Sequence, residues 1–252
     1  MLDDTEREAL LQIAVSTLPV EQDDLAVALA TVATPQQLSI ATERLVSLSL
    51  VARTDHGLWV HRWTAEALRT QQRLDHHRAR CLRGGRMRLA RIQTQSRDIS
   101  EGIEATHNFL DAHEFDNAAS VALDVCDFLK RISTLDLASF ARHVRAAMPS
   151  QHEAYKNFAD YEAQALLALG DTRTAVERYA DLVHDHQRLV AAEPDRADYQ
   201  RDLSVSYERL GELQGALGQG DVERRSNWAW DGGSVPFIVV MRVAVVAGLA
   251  RS

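Results

Sequence analysis

Apolar residues recur at helical spacing along most of this chain. From residue 5 to about 17, Leu10, Leu11, Ala14 and Val15 keep the period of a helix, Leu18 extends it, and Pro19 closes the run. Residues 22–33 carry Leu25, Val27, Ala28, Leu29 and Val32 in the same way. A third helix opens at Thr34-Pro35-Gln36-Gln37, with Thr34 as N-cap, Pro35 as the first helical residue and Gln37 completing a capping box. Its apolar positions are Leu38, Ala41, Leu45 and Leu48. The pattern then alternates with a period of about two. Leu50–Thr54 and Leu58–His61 flank Asp55-His56-Gly57, a short turn with glycine where a positive φ is needed. Three helices followed by a two-stranded hairpin is the order of a winged helix, so residues 1–66 are expected to form a winged-helix-like domain. Trp59 and Trp63 are expected to be largely buried between the hairpin and the helix after it.

From Thr64 onward the pattern predicts helices at 64–82, 86–97, 99–112, 116–131, 135–147, 152–169, 172–192 and 196–213. Gly84-Gly85, Pro149, Gly170-Asp171 and Pro194 mark breaks between them. Short connections make successive helices antiparallel neighbours, the precondition for stacked hairpins. Gly170 with Ala175 and Tyr179 has tetratricopeptide spacing: a glycine ends one helix, a small residue lets the next approach, and an aromatic fills the groove. Leu210-Gly211 with Gly218 repeats the two-glycine spacing, and His113–Asp116 with Ala118 and Ala119 is a degenerate copy. The expected fold class is therefore all-α with one small β-hairpin, a winged-helix-like domain followed by an α-solenoid of tetratricopeptide-like helical hairpins over 67–225.

The last stretch, 226–252, is of another character. Trp228-Ala229-Trp230 precedes a run from Val235 to Ala250 that is apolar apart from Arg242. That run is short of the ~20 residues a membrane span needs. A repeat breaking off after its second glycine suggests a frameshifted or truncated reading frame, and an irregular tail is expected. Membrane attachment is not.

Charge changes the picture in one place. The net charge is −8, yet Arg69–Arg97 holds nine arginines and one acid, Asp75. Arg69, Arg73, Arg80 and Arg83 fall three or four residues apart on one helix face. Such a face is either solvated and paired internally with the acidic remainder, or a docking surface for an acidic partner or a nucleic-acid backbone. The two cysteines, Cys81 and Cys126, are isolated, which fits a reducing, cytoplasmic setting without a structural disulfide. The acidic start Met1-Leu2-Asp3-Asp4 has no export signal.

Catalytic motifs are missing. Neither Lys130 nor Lys156 sits in a phosphate-binding glycine loop, and no HExxH, GxSxG or CxxC occurs. His76-His77 and His184-Asp185-His186 are the histidine clusters, but neighbours at such spacing do not face one site. No enzyme activity, catalytic residue, cofactor or metal is expected.

Two segments carry a resemblance. Residues 45–69, LVSLSLVARTDHGLWVHRWTAEALR, resemble the end of the winged-helix domain of STAND-class signalling ATPases. Residues 189–211, LVAAEPDRADYQRDLSVSYERLG, resemble the tetratricopeptide arrays that follow those ATPases in bacteria. Together the likeness covers about 1–225. In that family a histidine of a Met-His-Asp motif senses the nucleotide diphosphate. The matching triplet here is Val60-His61-Arg62, with the acid replaced, and the ATPase domain that would precede Leu2 is not in this sequence. His61 is thus a nucleotide contact only if such a domain is supplied from elsewhere, and otherwise a hairpin histidine packed against the next helix.

The expected function is non-enzymatic protein recognition by the solenoid surface, as in the sensor half of a STAND-type protein. The alternative is a DNA-binding regulator. Its reading helix would offer Gln36, Gln37 and Arg44 offset by Glu43, a poor footprint for the major groove, so sequence-specific nucleic-acid binding is not expected.

Overall fold

The computed structural model describes residues 1–94 and 98–226. The chain is mostly helical, with eleven helices and one two-stranded antiparallel hairpin among the described residues. It divides into two compact units, Met1–Phe158 and a second beginning at Ala159. None of the described helices is long and apolar enough to cross a membrane.

The first unit opens with α1 (Asp4–Ala14), α2 (Gln22–Ala28) and α3 (Pro35–Ser47), then β1 (Ala52–Thr54) and β2 (Gly57–Trp59). Local chemistry sets the helix starts. Asp3 accepts from the Glu6 backbone N–H at 2.8 Å while Glu6 accepts from that of Asp3 at 2.9 Å. Thr34 and Gln37 form the second such box at the head of α3, with Pro35 in its first turn. The strands pair Ala52 with Trp59, Arg53 with Leu58 and Thr54 with Gly57, so the loop itself is Asp55-His56. Both strands are shorter than the alternating pattern suggested.

A third partner joins this hairpin from the link between α1 and α2. Val20 donates to the Leu58 carbonyl and accepts from its N–H, both at 2.8 Å. Gly57 makes this possible: its φ is +124°, and a Cβ there would lie 2.6 Å from the Val20 oxygen. Ile13, Val20, Leu25, Leu29, Leu38, Leu45 and Leu58 form the buried centre of this region.

Four more helices and one short one complete the first unit: α4 (Arg62–Thr70), α5 (Leu74–Thr94), α6 (Ile99–Asp111), α7 (Phe115–Ile132) and α8 (Thr134–Ala147). Successive members from α5 to α8 pack as neighbours. The expected break at Gly84-Gly85 does not occur; the chain turns earlier, at Gln71-Gln72-Arg73, and α5 runs straight through both glycines. Glycine in a helix costs only about 1 kcal/mol against alanine, and here it serves the crossing with α6. A Cβ at Gly85 would stand 2.8 Å from the Phe109 ring, and one at Gly84 would stand 3.3 Å from Asn108. Packing also continues across residue 66, because α5 contacts both α1 and α2.

In the second unit, α9 (Tyr155–Ala168, which begins before the boundary), α10 (Thr172–Ala192) and α11 (Ala197–Ser226) share a core of Ala159, Ala163, Leu166, Ala175, Tyr179, Leu182 and Leu213. The helices expected as one array over 67–225 therefore fall in both units. α10 has the bounds the sequence pattern predicts, whereas α11 is a single helix well past residue 213. The expected irregular tail lies outside the described residues save for Ser226, the last residue of α11.

Candidate functional site

Six of the nine arginines fall in α5, and four of those six, Arg80, Arg83, Arg88 and Arg91, turn inward. Arg80 is buried and donates to Glu8 of α1 at 3.1 Å through Nε and 2.5 Å through Nη2, with Nη1 on Gln72 at 2.8 Å. Arg83 donates to the same carboxylate and, at 2.9 Å, to Gln12, whose amide in turn reaches the Arg80 carbonyl at 3.1 Å. One turn further on, Arg88 has no exposed surface. Its Nη1 meets Glu101 at 3.0 Å and its Nη2 donates to the Leu18 and Pro19 carbonyls, each at 2.9 Å. Arg91 then pairs with Glu21 at 2.7 Å, Asp24 at 2.8 Å and Glu101 at 3.0 Å. Glu104 of α6 completes the seam by accepting from the Thr17 N–H at 2.6 Å and from the Thr17 hydroxyl.

The four arginines expected to face a partner are therefore split. Arg80 and Arg83 belong to the internal seam, Arg69 is half-buried beside Glu66 at 3.7 Å, and Arg73 is exposed in the turn before α5. Arg97 lies outside the described residues. The four do not share one helix face, since α4 ends at Thr70 and Arg73 sits in the turn before α5, and spacing along the chain cannot say that Glu8, 72 residues before Arg80, comes to meet Arg80 and Arg83.

The seam has a pH signature. Burial alone would raise the Glu8 pKa, but hydrogen bonds and charge from Arg80 and Arg83 outweigh it and hold the carboxyl below its usual range. A carboxylate lowered on folding adds stability above its unfolded pKa, and that contribution is lost as pH falls through the folded value. Between about pH 5 and pH 3, Glu8→Gln should flatten the decline in melting temperature relative to the unaltered chain. Parallel melting curves over that range would show instead that the pair contributes nothing.

α3 and the hairpin border an open cleft of about 500 Å³, which meets the seam at Glu21. Glu21, Asp23, Glu43 and Asp55 line it against Arg53 and His56. Arg53 is already paired with Glu43 at 2.8 Å, and Arg44, the cation of α3, with Glu6 at 3.1 Å. This face is electrically acidic.

His61 caps α4, accepting from the Trp63 backbone N–H at 3.4 Å through Nδ1, with Trp59 edge-on at 5.7 Å. Trp63 is 79% exposed, contrary to the expected burial, because it starts α4 on the outer side and Ala65 supplies the inward contact. Trp59 is half-buried.

In the second unit, Gly170 ends α9 with φ +81°, its N–H on the Leu167 carbonyl at 3.0 Å and that of Asp171 on Leu166 at 2.9 Å. Ala175 and Tyr179 are buried, and Tyr179 donates to Asp160 at 3.3 Å. Leu210 packs against the same core, while Gly211 and Gly218 both lie inside α11 and end no helix. Without a break there, the second two-glycine spacing does not mark a hairpin turn.

No family model, curated protein or solved structure matches this chain. Two features escaped the sequence reading. Phe128 and Ile132, one turn apart near the end of α7, and Leu135 at the head of α8 are 42–64% exposed. His77 and Cys81 of α5 meet Asp111 at the end of α6. The i,i+4 spacing of the first pair was visible in the sequence, but nothing there indicated the third residue.

Proposed function

We propose that the chain is a non-enzymatic protein-interaction scaffold, a winged-helix-like region followed by tetratricopeptide-like helical hairpins. On this reading it is akin to the sensor half of a STAND-type signalling protein and recognises a protein ligand on its helical-hairpin surface. Support for the winged-helix reading comes from Val20, whose bridge to Leu58 gives the hairpin a third partner between the first two helices. Support for the tetratricopeptide reading comes from Gly170, Ala175 and Tyr179, which end one helix and pack the next.

The observation that carries protein over DNA is the charge on α3 and the wing. Arg44 is held by Glu6, Arg53 by Glu43, and the cleft between helix and hairpin is rimmed by four acids. A phosphate backbone is repelled by such a face. Phe128, Ile132 and Leu135, three large apolar side chains exposed within eight residues around the α7–α8 turn, support a protein contact at this corner.

Two measurements test this. Duplex DNA titrated at about 150 mM salt should bind weakly and without sequence preference, and Arg44→Ala should leave that binding unchanged. A sequence-specific complex lost on Arg44→Ala would replace this reading with that of a DNA-binding regulator. In parallel, Ile132→Asp with Leu135→Asp should abolish retention of any protein captured reproducibly by the unaltered chain, with the melting temperature preserved. Retention unaffected by the double substitution would move the contact away from the α7–α8 corner.

A further inference from the structure

α5 and α6 bring three donors of different chemistry to one point. His77 and Cys81 lie one turn apart on α5, and Asp111 closes α6 beside them. A ring nitrogen, the thiol sulfur and a carboxylate oxygen all lie within 4.8 Å of one another. Cys81 Sγ is 3.5 Å from His77 Nε2. Donors around a tetrahedral zinc ion stand roughly 3.3–3.8 Å apart, given bond lengths of about 2.0–2.3 Å. Small side-chain rotations would close the remaining difference.

We propose that His77, Cys81 and Asp111 form a binding site for a zinc ion, with the fourth position open to water. The donor set suits zinc: one thiolate, one neutral imidazole and one carboxylate are its usual ligands, and a sulfur donor disfavours magnesium and calcium. Charge also balances, since thiolate and carboxylate together neutralise a divalent ion. Access is graded: Asp111 is exposed, His77 half-buried and Cys81 buried, so the site opens outward through the carboxylate. Burial raises the Cys81 pKa to about 12 and lowers that of His77, and coordination through sulfur releases the thiol proton to solvent. The ion would staple the start of α5 to the end of α6. This site is separate from the apolar corner and the acidic cleft, and its fate does not depend on the proposed scaffold function.

The full chain without an affinity tag, titrated with Co²⁺ as a spectroscopic stand-in and then with Zn²⁺, tests the site. One equivalent of Co²⁺ should give a thiolate-to-metal charge-transfer band with tetrahedral ligand-field absorption, and Zn²⁺ should displace it and raise the melting temperature. Cys81→Ser should abolish the band, while Cys126→Ser, in the core of α7, should leave it intact. Asp111→Asn, at an exposed position that leaves the fold unstrained, should lower affinity at least about tenfold, since even outer-shell partners are worth that much. His77→Gln should do the same. Absence of the band in the unaltered chain, its survival in Cys81→Ser, or its loss in Cys126→Ser would overturn the proposal. Should Cys81→Ser fail to fold, undiminished affinity in both Asp111→Asn and His77→Gln would overturn it equally.

Discussion

Arg88→Ala should destabilise the first unit by about 3–5 kcal/mol, the cost typical of breaking a buried ion pair. The guanidinium is wholly enclosed and serves three acceptors at once: Glu101 and the carbonyls of Leu18 and Pro19. Truncation leaves both carbonyls of the α1–α2 link without that donor and opens a void between α5 and the link. Glu101 keeps Arg91 at 3.0 Å, so its charge is not orphaned, which places the expected loss toward the lower half of the range. Arg88→Lys retains the charge, but one ammonium cannot span the carboxylate and both carbonyls in the planar fork that arginine offers, so an intermediate loss is expected. Replacing both partners, Arg88→Met with Glu101→Leu, should recover part of the stability, because the buried carboxylate is then no longer desolvated. Urea titration followed by circular dichroism gives these differences directly. If Arg88→Ala shifted stability by less than about 1 kcal/mol, the α5 seam would be a consequence of packing and not one of its causes.

The same seam shows where sequence reading stopped. Features decided within a few residues were legible: the Thr34–Gln37 capping box, the turn at Gly57, the end of α9 at Gly170 and the bounds of α10. Each rests on a local hydrogen bond or a backbone angle that few residues adopt. Features decided by tertiary packing were not. Gly84 and Gly85 look like a helix break in the sequence, yet close contact with Asn108 and Phe109 outweighs their weak helix propensity. The basic stripe from Arg69 to Arg83 reads from the sequence as a solvated or internally paired face or as a docking face, and the positions of Glu8, Glu21, Asp24 and Glu101 separate the two for the arginines of α5. The winged-helix order predicts Trp63 buried between the hairpin and the helix after it, but its position on α4 leaves it exposed, and residue type only biases burial. The His77, Cys81 and Asp111 cluster joins two helices, so spacing along one of them revealed two donors and not three.

Gly57→Val should be nearly as costly as the loss of Arg88, by a different route. The glycine has φ +124°, a region that strains a β-branched residue by about 1–3 kcal/mol. The clash is with backbone, not with a side chain that could rotate away: a Cβ would stand 2.6 Å from the Val20 oxygen and 2.8 Å from its carbon. The hairpin would have to move off the α1–α2 link, which breaks the reciprocal Val20–Leu58 pair of hydrogen bonds. Each of those contributes about 0.5–1.5 kcal/mol. Leu58 and Val20 are both buried, so separating them also exposes apolar surface in the middle of the first core. The expected total is about 3–4 kcal/mol. Hydrogen exchange locates the damage: the Val20 and Leu58 amides should lose protection in Gly57→Val while Leu38 and Leu45, in α3, retain theirs relative to global unfolding. Retained protection at Val20 and Leu58, with stability unchanged, would mean that the hairpin does not depend on its third partner, and the support that this bridge gives to the winged-helix reading would be gone.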